Sequence, residues 1–194
     1  YVDSASSQTA LRVGFRGPGT GDSLEPATEI VLRLLDDGNS TRLYTRLCDE
    51  RGLAYDVGAG YEPAEDTGFL HIGCGMAHAE AETVLGEILG VCRSLRDEGP
   101  SEAELEKAKA RHRWGLDDML DDAGAVAEFL ADSALRGSAR TVEERRAAID
   151  DVTPAAIRAA AEHLFRPENL SAVAVGLQTK RSRAKLERLV RSFE

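Results

Sequence analysis

Long apolar runs are missing from this sequence: no stretch approaches the roughly 18 to 20 residues that a membrane-spanning helix needs. Cysteine is scarce. Cys48, Cys74 and Cys92 lie far apart with no C-x-x-C pair, which excludes a disulfide framework or a zinc knuckle and leaves small core residues or a free thiol. Basic residues are outnumbered, 24 Lys plus Arg against 34 Asp plus Glu for a net charge of −10. That balance excludes a nucleic-acid-binding surface, because phosphates demand a basic face. An initiating Met is absent, and no charged-then-apolar leader follows Tyr1. The expectation is a processed chain or a piece of a longer one, silent about its compartment.

What remains is an ordinary globular composition, 194 residues at 42% hydrophobic, enough to bury one core. Charge is uneven along it. Lys180, Arg181, Arg183, Lys185, Arg188 and Arg191 make the last segment basic on an otherwise acidic body. It reads as a solvated helix face held down by Leu186, Leu189 and Val190.

Periodicity orders the chain. The polar opening, residues 1–9, reads as a linker, and residues 10–194 as a single domain. Leu11, Val13 and Phe15 alternate as in a strand that Gly17-Pro18-Gly19 ends. Asp22 or Ser23 is placed to cap a helix carrying Leu24, Ala27, Ile30, Val31, Leu34 and Leu35, and a short helix starts near Ser40. Residues 53–76 read as a hairpin with Leu53, Tyr55, Val57, Ala59 and Tyr61 on one face. Further helices follow, with capping boxes at Ser101/Glu104 and Thr141/Glu144, a break near Gly115 or Gly124, and Thr153-Pro154 opening another. NLSAVAVG reads as a last buried strand. Hairpin-linked strands beside large helical blocks predict α+β: a mostly antiparallel sheet with helices on one face.

Chemistry-bearing constellations are few. His71 and Cys74 have ligand-like spacing with His78, yet three positions apart on a strand they leave opposite faces. No H-E-x-x-H, H-x-x-E-H or G-x-S-x-G occurs, and the glycines of RGPGTGD fit a strand-to-helix turn better than a phosphate loop. No metal site of its own is expected in this chain.

One stretch is more specific. Residues 34–61, LLDDGNSTRLYTRLCDERGLAYDVGAGY, place Gly38, Ser40, Thr41, Arg42, Leu43, Leu47, Glu50, Arg51, Gly52, Leu53, Ala54, Tyr55 and Val57 in one ungapped pattern. It resembles the C-terminal half of pitrilysin- and insulinase-type zinc peptidases, a group that includes the mitochondrial processing peptidases. The resemblance implies one of two similar α+β halves that close like a clamshell on a peptide. The other half would carry H-x-x-E-H and the zinc, and this one would be non-catalytic and enclose the substrate. The N-terminal catalytic half is expected in the same polypeptide or in a separate chain, and a dimer stays open. By the same resemblance Tyr55 matches a peptide-contacting Tyr, and Arg51 is a weaker candidate for the same role. Ser40, Arg42 and Gly52 match the motif. The family's peptide-contacting Arg falls on Cys48, a departure, since a thiol offers almost none of a guanidinium's donors. The rival expectation is a structural or assembly module of the same fold that has lost catalysis.

Overall fold

The computed structural model describes residues 1–2, 4–136 and 141–194, so Asp3 of the polar opening lies outside the described residues. Four strands form one antiparallel sheet in the order β2-β3-β1-β4. They are β1 (Thr9–Gly17), β2 (Val57–Pro63), β3 (Gly68–Met76) and β4 (Leu170–Val175). The helices are α1 (Glu25–Leu35), α2 (Arg42–Tyr44), α3 (Ala81–Glu98), α4 (Glu102–Leu120), α5 (Ala123–Leu135), α6 (Val142–Asp150), α7 (Pro154–Leu164) and α8 (Lys180–Arg191). The expected α+β architecture is the one found.

Alternation along the strands sorts the side chains into two sets. Leu11, Val13 and Phe15 of β1 register with Cys74, Ile72 and Leu70 of β3, and with Ala174, Ala172 and Leu170 of β4. This set faces the helices, where Phe15 meets Phe165 edge-on with centroids 5.0 Å apart and Phe193 at 5.8 Å. Ile30, Val31 and Leu35 of α1, Val84, Ile88 and Cys92 of α3, and Ile157 and Leu164 of α7 complete one core. In the other set Arg12, Arg16, Gly58, Phe69, Gly75 and Val173 are exposed. Among the described residues one face of the sheet is therefore uncovered.

Local chemistry explains most boundaries. Gly99 ends α3 at φ +74°, a conformation that costs a side-chain-bearing residue energy. Both capping boxes form, and the Thr153 hydroxyl accepts from Ala156 N with Pro154 in the first turn of α7. The long helical stretch breaks at Asp121-Asp122 rather than Gly115, because Asp122 caps α5 by accepting from Gly124 N at 2.8 Å. At α1, Asp22 accepts from Leu24 N but the capping position is Leu24, and the helix starts at Glu25-Pro26. Two strand expectations change. β2 begins at Val57, not Leu53, and β4 is an edge strand with Ser171, Ala172 and Val173 exposed rather than a buried one. Its alternating small and apolar residues read as core only because sequence does not show which strand lacks an outer neighbour.

Candidate functional site

The motif folds as a clamp followed by a reversal. After α1, Gly38 turns the chain at φ +95°, and the Thr41 hydroxyl donates back to Gly38 O at 2.8 Å. Arg42 then reaches across to α4. Its Nε and Nη2 meet the two oxygens of Glu104 at 2.8 and 3.0 Å, and Nη2 also donates to Gly99 O at 2.9 Å. This fork-to-carboxylate pairing holds the Glu104 carboxyl down at about 2, well below its ordinary range. Ser40 is fixed by Lys107 Nζ, which donates to its carbonyl at 3.0 Å. Ser40 and Arg42 thus act as struts of the motif.

Past α2 the helix widens into a π-turn over Thr45–Asp49. Gly52, at φ +58°, closes it, and Leu53 N and Ala54 N both donate to Leu47 O. That double anchor keeps residues 53–54 at the helix end and delays strand pairing until Val57 meets Cys74. Tyr55 is therefore not on a strand face with Leu53 and Val57. It sits in the bend between turn and strand, 97% exposed, and its ring is not core. Arg51 is brought to α3, where Nη2 lies 3.0 Å from Glu87 Oε1, and Arg46 Nε holds the other Glu87 oxygen at 2.6 Å. Tyr55 and Arg51, four residues apart, are directed to different surroundings. Cys48 is half-buried, and desolvation followed by Asp56 and Asp49 pushes its thiol up, so it presents no charge.

A cleft of about 590 Å³ lies on the uncovered sheet face, lined in part by Arg12, Asp56, Gly58, His71, Gly73 and Val173. Asp56 directly follows Tyr55. Glycines pave this face. A Cβ on Gly60 would lie 2.7 Å from His71 Cε1, and one on Gly73 would lie 2.9 Å from Arg12 Nη1. The longer side chains lie flat over them, with the His71 ring stacked on Phe69 at 5.5 Å. Sequence reasoning missed this surface. Its signal was present in VGAGYE and GFLHIGCGM, where Gly58 and Gly60, and Gly73 and Gly75, stand two positions apart.

The donor set does not fit zinc. Among the described residues no group of three His, Cys, Asp or Glu could hold a metal ion. Glu25 and Glu29 lie one turn apart on α1, with Glu29 Oε2 3.9 Å from His112 Nε2 of α4. There the Arg145 guanidinium already pairs with both carboxylates. Arg33 Nε donates to His112 Nδ1 at 3.1 Å, so the imidazole keeps its proton on Nε2 and offers no lone pair towards Glu29.

Comparison with known proteins accords with this arrangement. The model of the "Peptidase M16 inactive domain" matches residues 1–111. The chain belongs to the peptidase M16 family. It is 30% identical over 93% of its length to the uncharacterized zinc protease Mb2805c of Mycobacterium bovis, covering 42% of that protein. It is 26% identical to zinc protease PqqE of Helicobacter pylori over 66% of the chain and 30% of that protein. A solved Helicobacter pylori protease superposes with a TM-score of 0.84 at 19% identity, over 90% of this chain and 43% of that one. A solved inactive peptidase domain from Bordetella parapertussis gives 0.78 at 19% identity, over 89% of this chain and 94% of that one. This chain thus spans less than half the length of the curated M16 relatives it matches, and its fold is that of the M16 inactive domain.

Proposed function

We propose that this M16 domain is the substrate-enclosing half of a two-half zinc metallopeptidase, closing over an extended peptide that a zinc-bearing N-terminal half hydrolyses. The zinc would polarise the scissile carbonyl and activate water in that other half. The observation that carries the reading is the exposed Tyr55, next in sequence to the Asp56 that lines the cleft on the glycine-paved sheet face. A backbone can approach such a face closely because few side chains stand up from it, and the Tyr55 hydroxyl is free to donate to a peptide carbonyl. The face acts as a wall rather than a strand-pairing edge on the β2 side. Asp36 Oδ2 already accepts from Ala59 N at 2.7 Å and occupies that edge.

A second reading, a catalytically silent assembly module of the same fold, is favoured by one observation. Cys48 stands where the resemblance places the peptide-contacting Arg, and its neutral thiol cannot replace that cation.

Photo-crosslinking separates these readings. An unstructured peptide bearing a benzophenone is bound to the longer protein with its zinc chelated. Adducts on Tyr55, Phe69, His71 or Arg12 are the expected result. Adducts confined to the helices, or none, would overturn the enclosing role and leave the assembly module.

A further inference from the structure

The outer edge of β4 is half-occupied. Val2 bridges Val175 in parallel, its N–H donating to Ala174 O at 3.1 Å while its carbonyl accepts from Gly176 N at 3.0 Å. Tyr1 turns its ring towards α8, donates its hydroxyl to Arg183 O at 2.8 Å, and lies under the Arg183 guanidinium at 5.6 Å. Below Tyr1 an apolar groove of about 190 Å³ runs between β4 and α8, floored by Leu11, Ala172, Ala174, Leu186 and Val190. Ala172 is exposed in it although it belongs to the core-facing set of its strand.

Backbone direction settles which polar groups this edge presents. Ala174 bonds outward to Val2, and strand groups alternate sides, so Leu170 and Ala172 also direct theirs outward. Neither the Ala172 and Ala174 N–H groups nor the Leu170 and Ala172 carbonyls have an outward backbone partner among the described residues. An unpaired edge beside an open groove is a template for one more strand.

We propose that chain preceding Tyr1 supplies that strand, running parallel to β4 in continuation of Val2. This rests on the reading above that the domain has a half N-terminal to it. The register follows from the two bonds of Val2. The residue immediately before Tyr1 donates to Ala172 O and accepts from Ala174 N. The third residue before Tyr1 does the same with Leu170 O and Ala172 N. Side chains alternate, so the second residue before Tyr1 shares Tyr1's side and enters the groove, which calls for an apolar side chain there. The connection between the halves is then a strand of this sheet and not a free tether, which fixes where the other half leaves the β4 edge.

Hydrogen exchange on the longer protein tests this without using peptidase activity. Segment 170–176 is followed in the wild type and in a variant with proline immediately before Tyr1, which removes the N–H aimed at Ala172 O. The Ala172 and Ala174 amides are expected to be protected in the wild type and to exchange at least about tenfold faster in the variant. Solvent-like exchange of both amides in the wild type, or rates that the proline leaves unaltered, would overturn the proposal. Absence of an H-x-x-E-H half from both the longer chain and any associated chain would sink the two-half reading as well. Unprotected amides in a longer chain would sink this inference alone.

Discussion

Arg51 Nη2 lies 3.0 Å from Glu87 Oε1, so the motif arginine nearest Tyr55 is spent on α3 rather than held out with the tyrosine. Arg46 shares the same carboxylate, and together they fasten the π-turn to the long helix beneath it. Exposed pairs of this kind contribute little to stability. Arg51→Ala is expected to lower the melting temperature by no more than about 2 °C and to leave the peptide KM of the longer protein within about twofold. A tenfold rise in KM would return Arg51 to the peptide.

Arg42 is a different case. Its guanidinium satisfies both Glu104 oxygens and the Gly99 carbonyl at the end of α3. Arg42→Ala removes all three bonds and is expected to cost about 2–3 kcal/mol, or roughly 5–10 °C in thermal melting. Arg42→Lys restores the charge without the fork and should recover less than half of that loss. Full recovery with lysine would show that geometry is not what matters at this position.

Acid stability has an assigned source. Burial, reinforced by the neighbouring Arg33, pushes His112 down to about 4. The unfolded chain binds a proton near 6.5 while the folded one refuses it until about 4. Stability is therefore whole above pH 6.5, falls as the pH drops from there towards 4, and by this group falls no further below that. The loss is on the order of 3 kcal/mol. His112→Asn should flatten urea-derived stability between pH 6.5 and 4. An unchanged slope would assign the acid sensitivity elsewhere. Glu104 acts lower, its contribution being lost as the pH falls from about 4.5 towards 2.

The paved face yields a separate test. Gly60→Ala must lift the His71 ring, whose Cε1 lies 2.7 Å from the new methyl. Because that ring sits on the uncovered face, stability should fall by no more than about 1 kcal/mol. The wall would still change shape, and KM for an extended peptide should rise several-fold. An unaltered KM would take this face out of the peptide's path.

The fold was legible where pattern and chemistry agree. The core positions of β1, the capping boxes at Ser101 and Thr141, and the stop at Gly99 are all local signals. The motif from Gly38 to Val57 carried the family. Less legible was anything set by long-range contact. Tyr55 reads as a strand residue because Leu53, Tyr55 and Val57 alternate, and only the bonds of Leu53 and Ala54 to Leu47 O place it in a bend. Arg51's partner is distant in sequence, and neither propensity nor period points to Glu87. β4 reads as buried until its outer neighbour among the described residues is seen to be Val2 alone. Arg145 could not be foreseen between Glu25 and Glu29 either, because the carboxylates come from α1 and the cation from α6.

The most direct measurement is steady-state hydrolysis of an unstructured peptide by the zinc-loaded longer protein, wild type against Tyr55→Phe. Tyr55 is 97% exposed and its side chain makes no hydrogen bond among the described residues, so the substitution should leave melting temperature and zinc content unchanged. Loss of one hydrogen bond to the bound peptide predicts a fall in kcat/KM of about tenfold. Wild-type kcat/KM in the Phe variant would contradict the account.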